Sequence, residues 1–63
     1  MVHRGERVVS RDRQAVGLTT GGVRSCRLEG CLGLRIGVRW PDGKLTWPCS
    51  RGMQRRGGVW RIL

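Results

Sequence analysis

Leu32, Leu34, Ile36, Val38 and Trp40 are apolar, and Gly33, Arg35, Gly37 and Arg39 lie between them. Alternation of period two over this length fits a pleated strand with one face on a core and the other toward solvent. A helix would scatter the same apolar side chains around its circumference. Pro41-Asp42-Gly43 then reads as a turn, with Pro presetting φ and Gly free to take φ > 0. Lys44–Cys49 is the returning arm. Matching apolar faces predicts Trp40 opposite Leu45, Val38 opposite Trp47 and Ile36 opposite Cys49, through a loop of two or four residues. A slip of one residue would set Arg39 against Leu45 and Val38 against Thr46, mixing the faces. On the favoured register Trp40 and Trp47 both join the core. Arg35 and Arg39 share the solvent face with Lys44 or Thr46.

Eleven glycines in 63 residues argue against long helices, since Gly inside a helix costs about 1 kcal/mol relative to Ala. Gly5–Ser10 is expected as a first strand, Ala15–Thr20 as a second ended by Gly21-Gly22, and Val23–Leu28 as another, with Glu29-Gly30 turning into the long alternating strand. Pro48 cannot donate to a ladder, so the second arm ends there or lies at an edge. Ser50–Met53 reads as a short turn with room for one turn of 3-10 helix. Gln54–Gly58 reads as a basic loop, and Val59–Leu63 as a final strand with Trp60 and Ile62 on one face. Such a short chain forms a single domain over 1–63 and buries only about 60% of its unfolded surface. With no Phe or Tyr, three Trp must supply much of the bulk. The expectation is an all-β domain: one small barrel of about five short strands, with Met53 plugging its open end and exposed edges removed by closure.

Thirteen basic residues stand against four acidic ones, a net charge of +9, and twelve of the thirteen are Arg. A chain this basic is drawn to phosphate backbones or acidic protein faces, and the planar guanidinium suits bidentate contact with phosphate. The expected binding residues are Arg35, Arg39, Arg51, Arg55, Arg56 and Lys44. Arg35 and Arg39 are placed to meet neighbouring phosphates. Arg4, Arg7, Arg11 and Arg13, or Arg24, Arg27 and Arg61, could extend the set. Trp60, beside Gly57-Gly58 and Arg61, is either an exposed ring on which a base stacks or a core ring against the first strand.

Gly5-Glu6-Arg7-Val8, followed by a glycine-bearing strand and by Val38-Arg39-Trp40-Pro41-Asp42-Gly43, resembles the layout of SH3-like small barrels of the Tudor and KOW type. The resemblance implies one small SH3-like barrel, strongly bent and five-stranded, and binding of RNA, DNA, peptides, RNA polymerase or ribosomal components. The aromatic cage of methyl-lysine readers and the aromatic groove of proline-peptide readers have no material here, because Tyr and Phe are absent. Nucleic-acid binding, to RNA or DNA, is the leading expectation. The alternatives are a regulatory adaptor or inhibitor that grips an acidic protein surface, such as RNA polymerase, a nuclease or another phage or plasmid target, and a peripheral ribosomal protein.

Catalysis has little to work with. His3 stands alone near the N-terminus, and Glu6, Asp12, Glu29 and Asp42 have no acid–base spacing. Neither Gly-Gly pair has the context of a phosphate-binding loop. A non-enzymatic protein is expected, with no cofactor. Cys26, Cys31 and Cys49 together with His3 offer the residue types of a Cys3His zinc site. Their spacing lacks a C-x2-C knuckle, so ordinary thiols are the expectation. An odd cysteine number, no apolar run of ~20 residues and no signal-peptide core predict a cytoplasmic protein without membrane contact. Ile62-Leu63 could bury itself against a second copy as a homodimer.

Overall fold

The computed structural model describes residues 2–27, 30–31 and 33–63; the expectations that fall on Leu28, Glu29 and Leu32 lie outside them. Strands β1 (Arg7–Val9), β2 (Val16–Ser25), β3 (Leu34–Arg39), β4 (Leu45–Thr46), β5 (Met53–Arg56) and β6 (Val59–Ile62) are joined by loops and one 3-10 turn at Ser50–Gly52. They form one sheet in the order β4-β3-β2-β1-β6-β5. All neighbours are antiparallel except β1 and β6, which run parallel. Among the described residues the chain is all-β, as the alternation predicts, and no helix is long and apolar enough to cross a membrane.

One expectation needs correction. The described residues form six strands, in keeping with about five, but the sheet is not closed into a barrel, because the edge strands β4 and β5 do not pair. Closure fails for a local reason. Strand β4 has two residues, Pro48 has no N–H, and Ser50–Gly52 coils into the 3-10 turn before the chain can ladder onto β5.

The core lies on one face. Val8, Ile36 and Val38 are fully buried, Met53 nearly so, and Val2, Trp40, Trp60 and Ile62 pack around them. Inward even-numbered residues of β3 thus hold at Ile36 and Val38. Leu34, by contrast, is exposed, because β3 begins beyond the core. Burying each of the three central side chains contributes about 1.5–3 kcal/mol. That total is small, and polar ties matter accordingly. Glu6 accepts hydrogen bonds from Arg55 Nη2 at 2.8 Å and from Trp60 Nε1, tying the entry of β1 to the β5–β6 hairpin.

Gly21-Gly22 does not end a strand. It sits inside a single bent β2, where the pairing with β3 shifts register between Thr19 and Val23 and Gly21 has φ +87°. Gln54–Gly58 is not a loop either. Met53–Arg56 is a strand, and Gly57 and Gly58, with φ +59° and +79°, form the two-residue turn into β6.

Candidate nucleic-acid interface

The β3–β4 hairpin closes on the register that face-matching disfavours. Arg39 lies opposite Leu45 and Val38 opposite Thr46. The loop is three residues, Pro41-Asp42-Gly43, bracketed by Trp40 N–H to the Lys44 carbonyl and Gly43 N–H to the Trp40 carbonyl, both 2.9 Å. Asp42 Oδ1 accepts the Lys44 amide at 3.0 Å, and Gly43 takes φ +87°. This is a turn followed by a left-handed residue, a bulged hairpin closure. Face-matching misleads here because β4 lies beyond the core: Leu45 and Thr46 are both exposed, so no burial enforces their parity. Trp40 Nε1 instead donates to Thr46 Oγ1 at 2.7 Å.

The slip turns Trp47 over. Trp40 packs on the core as expected, but Trp47 falls on the opposite face, across the backbone of Gly22 and Gly37. A Cβ at Gly22 would stand 2.9 Å from the ring and one at Gly37 3.2 Å from it. The Arg24 guanidinium covers the ring at 4.0 Å from its centroid, and Arg35 Nη1 donates to the Trp47 carbonyl at 3.1 Å. Arg24 and Arg35 are themselves directly opposed across β2 and β3. Like charges opposite one another destabilise a strand pair. With Ser25 and Arg27 they line an open depression of about 570 Å³. Among the described residues no carboxylate pairs with these three arginines: Glu6 holds Arg55 and Asp42 faces Lys44. Asp12 is also occupied, since the Ser10 hydroxyl and the Gln14 amide hold its carboxyl below the usual value. A cation over an aromatic face keeps its charge and N–H donors, so the Trp47 contact does not neutralise Arg24 as a carboxylate would.

A second basic feature crosses the whole sheet. Arg56, Val59, Arg7, Leu18, Arg39 and Leu45 are successive cross-strand partners on the outer face. Guanidinium and aliphatic groups alternate along this line, with Leu18 50% and Leu45 48% exposed. The expected site residues therefore divide. Arg35 belongs to the cluster around Trp47, whereas Arg39 and Arg56 belong to the cross-sheet line. Arg39 lies four positions along the strand from Arg35, about 13 Å away, so they span two phosphate steps rather than adjacent ones. Arg51 lies on the 3-10 turn with its stem against Gly33. Arg55 and Lys44 are ion-paired, at 2.8 and 3.8 Å. Trp60 is half-buried on the core with Arg55 at 5.9 Å, which favours its packing role over stacking. Ile62 packs on the core too, leaving Leu63 exposed. Sequence reasoning passed over Trp47 as a site residue. The signal that could have found it is Asp42-Gly43, whose turn chemistry supports the three-residue loop.

The three thiols, Cys26 buried and Cys31 and Cys49 half-buried, come together in space. Cys31 Sγ lies 3.5 Å from Cys49 Sγ, and the three Sγ atoms of Cys26, Cys31 and Cys49 lie within 4.8 Å of one another. The Gly33 amide draws the Cys31 thiol toward ionisation. Hydrogen bonds with Cys26 and Cys49, burial and the charge on Cys26 outweigh it and leave the thiol above its ordinary value.

No family model, curated protein or solved structure matches this chain.

Proposed function

We propose that this is a non-enzymatic binding protein that docks on nucleic acid, RNA or DNA, through the arginine-rich outer face of an opened SH3-like sheet. The observation that carries the reading is the opposed pair Arg24 and Arg35, held around Trp47 with no carboxylate partner among the described residues. Juxtaposed like charges weaken the free fold, and an anionic ligand relieves them. Arg27 adjoins this centre, and Arg39 and Arg56 extend it across the sheet. The bent β2, the 3-10 turn before the last hairpin, and the pairing of β1 with β6 support the SH3-like reading of the fold.

Binding is electrostatic, so its affinity falls with salt in proportion to the phosphates engaged. Fluorescence anisotropy with short RNA and DNA, single- and double-stranded, across a salt series tests this. Arg24→Gln and Arg35→Gln should each weaken binding and flatten the log–log salt slope by about one. Absence of binding to every probe at low salt refutes the proposal. The exposed Leu18, between Arg7 and Arg39, and the exposed Leu45, beyond Arg39, favour, as a second reading, docking on an acidic protein surface with apolar patches. Binding to an acidic protein without binding to nucleic acid would select it.

A further inference from the structure

Two segments of the chain bring three thiols to one point. Cys26 follows the end of β2, Cys31 lies in the connection to β3, and Cys49 precedes the 3-10 turn. The connection is folded back by Cys26 N–H donating to the Gly33 carbonyl at 3.2 Å, and Gly33 N–H points at Cys31 Sγ from 3.5 Å. Amide donation to sulfur is the outer-shell support that a thiolate ligand needs. Cys49 is placed by its bridge to Arg35. A Cβ at Gly33 would stand 2.9 Å from Cys49 Sγ and 2.6 Å from the Arg51 stem, so any larger residue there would force those side chains to move.

We propose that Cys26, Cys31 and Cys49 form a three-thiolate site for a thiophilic divalent cation, namely zinc. Tetrahedral zinc with Zn–S near 2.3 Å sets its sulfurs ~3.8 Å apart. The Cys31–Cys49 edge is already close to that, and the other edges need contract by no more than about 1 Å from the 4.8 Å limit. The donors are all soft, which disfavours magnesium and calcium. His3 is not part of the converging set. Binding displaces the thiol protons to solvent without any redox change. Three thiolates and Zn(II) carry one net negative charge, beside Arg35 and Arg51. The fourth position is left to water or an exogenous donor. In a chain whose core is this small, such a cross-link between the β2–β3 connection and the approach to the 3-10 turn contributes directly to folding.

The test uses the full chain, reduced and metal-free, under anaerobic conditions. Titrated cobalt(II) should give thiolate-to-cobalt charge-transfer bands that saturate at one metal per chain and disappear when zinc is added. Zinc should raise the thermal midpoint, and a chelator should reverse the rise. Cys26→Ser, Cys31→Ser and Cys49→Ser should each cost more than the about 10–100-fold typical of losing an outer-shell partner, whereas His3→Ala should leave zinc affinity unchanged. Absence of charge-transfer bands overturns the proposal, as does a serine variant with wild-type affinity. If a serine variant does not fold, the wild-type chain decides: a midpoint insensitive to zinc and chelator overturns the site.

Discussion

Thr19 is 2% exposed, yet its hydroxyl is fully used. Its Oγ1 accepts the Glu6 amide at 2.9 Å and donates to the His3 carbonyl, clamping the N-terminal segment onto β2. Thr19→Val keeps the shape and removes both bonds, which should cost about 1–3 kcal/mol because buried polar groups are left without partners. Thr19→Ser should restore most of it. Urea unfolding reads the change as a lower midpoint at constant slope, and an unchanged midpoint for the valine variant would refute the clamp. Nothing local in Ala15–Thr20 announces this role, since Thr19 and Thr20 are equivalent in sequence and only the packing of residues 3–6 distinguishes them.

At the scale of elements, the β5–β6 hairpin depends on its two-residue turn. Positive φ at both Gly57 and Gly58 is the conformation whose twist matches the flanking strands. Gly57→Ala and Gly58→Ala should each destabilise by roughly 1 kcal/mol, whereas Gly57→Asn should be tolerated, because Asn accepts this region. Equal midpoints for the alanine and asparagine variants in thermal unfolding would argue against the turn. Met53–Arg56 escaped recognition as a strand because Gln54, Arg55 and Arg56 look like solvated loop. Its partners are what make it a ladder: Met53 faces Ile62 and Arg55 faces Trp60. Strand β3 was legible, since its alternation records burial on one side, and the 3-10 turn fell where it was expected. The slipped β3–β4 register was not legible from apolar matching.

For the whole molecule, a net charge of +9 on 63 residues means that the free protein repels itself. Screening this repulsion should raise the thermal midpoint as salt is added, while the same salt should weaken the proposed nucleic-acid binding. Thermal scans of the free protein across the salt series check the first half, and a midpoint that falls steadily with salt would mean that native ion pairs outweigh the repulsion. Opposite responses of stability and binding are the mark of charge retained for a partner.

The chain's own order of residues determined the β class, the inward and outward sides of β3 at Ile36 and Val38, and the excess of positive charge. These follow from the two-residue period of a pleat and from summed charge, both of which are local or additive. Tertiary structure decided which arginines converge on Trp47, that three cysteines meet, and that the sheet stays open. Those outcomes turn on a three-residue loop, one bulge in β2 and a 3-10 turn. There a shift of a single residue exchanges the faces of a strand and resets distances between segments far apart in the chain.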